Sequence, residues 1–195
     1  SMACPNLAGS AALVRQYVKK KYPNYTDSEV TALVNCLLMS TASILRNEAG
    51  NPYSPRKQGA GLADAERAIK TGAYLYVEGS DKAKLSLGDD PQKTGTYTLH
   101  FILKNTTART LSYTLNTYAM TETVSTDGKT VAEQAYMLSP SIRYTVENGN
   151  LTGNTVSVLG YSEAKITAKI TLSDADRDYI DSKFKNGMYV EGFCT

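Results

Sequence analysis

The 195-residue chain has one histidine, three cysteines, hardly any excess charge and no long apolar run. Each scarcity removes a class of function. A transmembrane helix needs roughly 20 consecutive apolar residues, and no stretch approaches that length. The N-terminus also lacks a charged segment followed by an apolar one, so neither a membrane span nor an export signal is expected within these residues. The 21 basic and 19 acidic side chains are interspersed and leave a formal charge of +2. No basic face therefore calls for nucleic acid, and no acidic tail for a cationic partner. Cys4, Cys36 and Cys194 are odd in number and widely spaced. This fits neither a disulfide framework nor a CxxC metal or redox site, and the thiols read as buried or incidental. No internal repeat, low-complexity linker or phosphate-binding glycine loop is found. "QGAGL" at 58–62 has glycines but no preceding strand and no Lys-Ser/Thr, so its glycine marks a tight turn. No cofactor and no metal site is expected.

What is present is ample apolar material, 42% of the residues, enough for a real core in one or two domains. Up to about residue 72 the spacing is helical. Cys4, Leu7, Ala8, Ala11, Val14, Val18 and Tyr22 recur on one face, and Pro5 falls in the first turn, where its missing N–H costs little. Lys19, Lys20 and Lys21 suit a helix C-terminus, and Pro23 stops propagation. "TDSE" predicts a capping box between Thr26 and Glu29, opening a second helix through Val30, Leu33, Val34, Leu37 and Leu38. "NPYSPRKQGAG" reads as a loop and "LADAERAIK" as a short third helix. The small-residue face of these helices predicts close packing against a sheet, yet no strand candidate lies in the segment to form one.

Beyond Thr71 the period becomes two. "TGTYTLHFILKN", "RTLSYTLNTYAM" and "YSEAKITAKITLS" read as strands, separated by turn residues such as Gly88, Asp89, Asn105, Asp127, Gly128, Asn148 and Gly149. Strands at this density predict a sandwich of two antiparallel sheets. Ser173 is a predicted N-cap for "DADRDYIDSKF", whose carboxylates suit a helix start better than a calcium loop, and "GMYVEGFCT" is a final strand. The sequons at Asn24, Asn105 and Asn150 read as chance. His100 has Phe101 and Leu103 on the opposite parity and reads as a strand histidine on a solvent-leaning face, with no catalytic assignment.

"SMACPNLAGSAALV" at the start resembles the nucleophile segment of subtilisin-like serine proteases, with Ser1, Met2, Ala3, Pro5, Ala8 and Gly9 at matching positions. The Gly-Thr that usually precedes the serine is absent. "YSPRKQGAGLADAERAI" resembles the close of the catalytic domain in the cell-envelope branch, the lactocepin and C5a-peptidase type, and "NGMYVEGF" at 186–193 resembles the last strand of the fibronectin-III-like domain that follows there. The resemblance implies a mixed architecture. Residues 1–73 would be the helical C-terminal tail of an α/β subtilisin-like domain, and residues 74–195 an all-β Fn3-like sandwich. It also implies that Ser1 is the catalytic nucleophile and that its backbone N–H is an oxyanion donor.

A serine hydroxyl needs a base and a group to orient that base. The family places its Asp, its His and an oxyanion-hole Asn before the serine. The expectation is therefore a fragment of a secreted or cell-surface endopeptidase, inactive by itself, whose partners are a protein or peptide substrate and the N-terminal part of the catalytic domain. Exposed helices would add a homodimer contact. The rival class is a non-catalytic Fn3-like spacer or binding module. Two further readings are weaker: an N-terminal nucleophile hydrolase, which should begin with a strand, and Ser1-Met2 as a remnant of an expression tag.

Overall fold

The structure, a computed structural model, describes residues 1–195, apart from the side chains of 131–134. The first helix, α1 (Ala3–Lys21), packs Val14 and Val18 against α2 (Asp27–Thr41), which contributes Val30, Leu33, Val34, Leu37 and Leu38. The N–H of Tyr22 bonds Val18 O at 2.8 Å to close the last turn, and the chain leaves at Pro23. The predicted capping box forms: Thr26 N donates to Glu29 Oε2 at 2.8 Å, and Glu29 N to Thr26 Oγ1 at 3.3 Å. A single turn, α3 (Pro55–Gln58), interrupts what reads in the sequence as loop, because Ser54 caps it and Pro55 sits at its first position. The last of these helices, α4 (Ala65–Lys70), is capped by Asp64 and buries Ala68 in the same cluster.

The predicted tight turn at "QGAG" is required sterically. Gly61 has φ +122°, and a Cβ there would stand 2.3 Å from the carbonyl oxygen of Ser43, whose residue bridges to Leu62.

Strands β1 (Ala73–Tyr76), β2 (Thr96–Asn105), β3 (Leu111–Thr114), β4 (Thr117–Val124), β5 (Thr130–Met137), β6 (Ser141–Glu147), β7 (Asn150–Thr152), β8 (Thr155–Val158) and β9 (Glu163–Thr171) precede α5 (Asp174–Lys183) and β10 (Glu191–Cys194). All pairings are antiparallel. The expected pair of sheets is three among the described residues: β1-β2-β9-β6, β10-β4-β5 and β3-β8-β7. The division arises inside "RTLSYTLNTYAM", where the run changes partner. β3 pairs with β8, Leu115 N then bonds Asn154 O at 2.8 Å, and Asn116 exchanges two 2.8 Å bonds with Thr195 before β4 joins β10. Leu115 at the switch is buried in the core, which anchors the bend.

Alternation along β9 shows why the sandwich closes. Ala164, Ile166, Ala168 and Ile170 are buried while Lys165 and Lys169 face solvent. Phe101, Leu103, Tyr144, Val156 and Val158 complete the main core. A smaller cluster of Ala119, Leu138 and Leu172 lies with Ile180 of α5. Asn105, expected in a turn, instead ends β2 fully buried. Its Nδ2 donates to the carbonyls of Arg109 (2.7 Å), Leu159 (3.0 Å) and Val158 (3.2 Å), and its Oδ1 accepts from Thr107 N at 2.9 Å. A buried polar side chain needs such partners, and here they hold two connections together.

The helices meet the sandwich at its edge strand. Within β1, Ala73 and Leu75 turn into the sandwich core while Tyr74 packs among the helices, so the period of two serves both. Ser40 Oγ of α2 accepts from Leu75 N at 2.8 Å and donates to Leu75 O at 3.2 Å. This covers backbone groups that an edge strand leaves open.

Candidate functional site

Ser1 is exposed and stands two residues before α1. Met2 at the N-cap has helical φ/ψ and provides no side-chain cap, so side chains do not compete for the first N–H groups of α1. Those groups and the positive end of the helix dipole suit a developing oxyanion. The matched Pro5 lies in this first turn, as expected.

Among the described residues no side chain hydrogen-bonds to the Ser1 hydroxyl. His100 is not brought to it: it lies on β2, exposed, with Nδ1 at 3.0 Å from Thr167 Oγ1 of β9. The strand reading of His100 stands, and among the described residues no base or orienting acid hydrogen-bonds to Ser1. The apolar stripe that leads from Val18 and Val14 back to Ser1 loses its cover on the way. Ala11 is half-buried, whereas Leu7 is 51% exposed and Cys4 is exposed.

The most developed polar constellation lies elsewhere, and it joins the two remaining segments that carry the family resemblance. Arg56, in α3, lies against Glu191 of β10, with Nε at 3.0 Å from Oε2 and Nη2 at 3.0 Å from Oε1. It also pairs with Glu122 of β4, which is only 4% exposed. Ser54 Oγ donates to Glu191 Oε1 at 2.6 Å, and the Arg56 guanidinium lies 4.7 Å from the centre of the Tyr189 ring. The hydrogen bonds that Arg56 donates to Glu191, then the one to Glu122, push its pKa further above its ordinary value. Arg46 lies likewise over Tyr118, at 4.9 Å.

This arrangement clamps the 52–58 turn onto the sandwich and has no exposed nucleophile, so it is structural. Sequence reasoning singled out both segments but not their contact, since 135 residues separate Arg56 from Glu191. Gly192 belongs to the same strand, and a Cβ there would lie 1.8 Å from Tyr118 O. That approach explains the glycine in "VEGF".

Among the described residues no group of His, Cys, Asp and Glu could hold a metal ion. Asp174 and Asp176 begin α5, as the helix-start reading expects. Cys4 is exposed, Cys36 buried and Cys194 partly buried, all as free thiols. Burial, with a smaller effect from Asp81, pushes Cys36 up to about 11, so it is not a reactive thiolate. Among the described residues no helix is long and apolar enough to cross a membrane.

An antiparallel sandwich with a helical segment docked on its edge strand defines the class: a β-sandwich module that carries a small helical cluster on one edge. More particularly, the chain belongs to the Fn3-like domain family, whose model matches residues 85–195. It is similar to the C5a peptidase of Streptococcus pyogenes, 30% identical over 195 residues, covering 99% of this chain and 15% of the relative. The PII-type proteinase of Lacticaseibacillus paracasei and the PI-type proteinase of Lactococcus lactis subsp. cremoris are each 34% identical over 139 residues, covering 65% of this chain and 7% of the relative. The lactocepin and C5a-peptidase resemblance therefore holds, while the chain spans about 15% of the length of the C5a peptidases it matches.

Proposed function

We propose that residues 1–73 are the C-terminal helical part of a subtilisin-like catalytic domain and residues 74–195 the Fn3-like domain beside it, within a cell-surface serine endopeptidase. The observation that carries this is the extent of the likeness. The match to C5a peptidase takes in 99% of the chain, helices and sandwich alike, rather than the sandwich alone.

In this reading the Ser1 Oγ attacks the peptide carbonyl while a histidine base takes its proton. The amine leaves with that proton, and water then hydrolyses the seryl ester. The histidine, the aspartate that orients it and an oxyanion-hole asparagine come from the part of the catalytic domain that the family places before the serine. This chain's own contribution is the nucleophile and the uncapped start of α1.

A fluorophosphonate probe tests the assignment. The 195-residue chain alone stays unlabelled, and the longer protein is labelled at Ser1. Stoichiometric labelling of the short chain would refute the dependence on upstream residues. An unlabelled longer protein would remove the nucleophile and leave the second reading, a non-catalytic spacer or binding module. That reading draws on the sandwich core, which closes without the helical cluster.

A further inference from the structure

The outer face of the β1-β2-β9-β6 sheet carries its charges unevenly. At one end Lys104 pairs with Glu163 at 2.9 Å, and Glu147 stands opposite Lys165 in the strand register. At the other end the register places Arg143 of β6 directly opposite Lys169 of β9. Residues so paired point to the same face, and like charges directly opposed there repel.

Both side chains are exposed, and among the described residues neither makes an ion pair or a hydrogen bond. Their neighbours on this face offer hydroxyls instead of carboxylates. Thr98 stands opposite Lys169 on β2, Ser141 opposite Thr171, and Thr145 opposite Thr167. A cavity of about 450 Å³ opens at this place, lined by Ser141, Ile142, Arg143, Lys169 and Thr171.

We propose that this concavity binds a phosphate oxyanion between the Arg143 guanidinium and the Lys169 ammonium, with the Ser141 and Thr171 hydroxyls as further donors. An anion there turns an uncompensated repulsion into two attractions. The guanidinium fork matches two phosphate oxygens, and the ammonium acts as a point charge. The sheet face is open on its solvent side, so the phosphate can be free or part of a larger molecule. No aromatic side chain lines the cavity, so base stacking of the kind that holds single-stranded nucleic acid is absent from it.

The experiment is amide NMR on the ¹⁵N-labelled chain, titrated separately with inorganic phosphate and with linear polyphosphate. Saturable shifts are expected in 141–145 and 167–171 with at least one probe. Response to inorganic phosphate alone identifies a free anion as the ligand, and a stronger response to polyphosphate a polymer-borne one. R143Q and K169Q should each weaken binding about tenfold, the effect of losing one charge-assisted hydrogen bond. K165Q, at the compensated end, should leave it unchanged. No saturable shift with either probe overturns the proposal, and so does a loss in K165Q equal to that in K169Q. Amide dispersion of each variant shows that it is folded.

Discussion

Removing the Arg56 side chain would leave Glu122 buried without its cation, a loss of about 3 kcal/mol for a broken buried pair. Among the described residues the Oε2 of Glu122 already has no hydrogen-bond partner, so the carboxylate depends on the guanidinium. R56A should therefore lower the urea midpoint far more than K104A, which breaks a partly exposed pair worth about 1 kcal/mol or less. Equal effects of the two would show that the clamp contributes no more than a surface contact. Asn105 tests the same physics without charge. N105A removes the donor that three carbonyls share and the acceptor of the Thr107 N–H at once, and should cost about 3 kcal/mol in the same assay.

At the scale of elements, the start of α2 should respond to acid. The Thr26 hydroxyl and backbone N–H hold the Glu29 carboxyl below its ordinary pKa, and Lys19 with Arg15 does the same for Asp27. A depressed folded pKa means the stabilisation is complete above the unfolded value, about 4.3 for glutamate, and is lost as pH falls through the lower folded value. Amide exchange at Thr26 and Glu29 should therefore quicken relative to the α2 interior as pH drops below about 4.3, and E29A should weaken that dependence, leaving the part due to Asp27. T26A should cost about 1 kcal/mol at neutral pH.

The other capping box does double duty. Asp176 is buried, closes α5 with Ser173, and also accepts from Ser139 N at 3.0 Å at the turn before β6. D176A should accordingly cost more than T26A, about 2 to 3 kcal/mol. An equal cost would mean the Ser139 contact adds nothing.

For the whole molecule, the uncovered half of α1 decides behaviour in solution. Leu7 and Met2 stand exposed at the start of a helix whose later turns bury Val14 and Val18. An apolar stripe in this state favours association, and the proposed occupant in the longer protein is the rest of the catalytic domain. In the isolated chain a second copy should take its place. Sedimentation should show association that rises with concentration, and L7E should abolish it with the thermal midpoint unchanged. A monomer at every concentration would count against this.

The elements themselves were legible because their signals are local. A capping box spans four residues, Ser173 and Thr26 act on the turn beside them, and the alternation in "AKITAKIT" needs no partner to be seen. The resemblance at Ser1 was equally local, a run of small residues around one hydroxyl. Errors came where a residue's role depends on distant chain. Asn105 looks like a turn residue until two loops close around it, and "RTLSYTLNTYAM" looks like one strand until β8 and β10 claim its halves.

By itself the sequence determined the helical first part, the β-rich remainder, the capped starts of α2 and α5 and the stop of α1, and the place of the serine. Tertiary structure alone decided that β1 serves two cores, that Arg56 meets Glu191 and Glu122, and that Arg143 faces Lys169 without a carboxylate. The physical reason is range. Capping and periodicity are set by backbone geometry over a few residues, whereas pairing register and ion pairs depend on loop closures that bring together residues far apart in the chain.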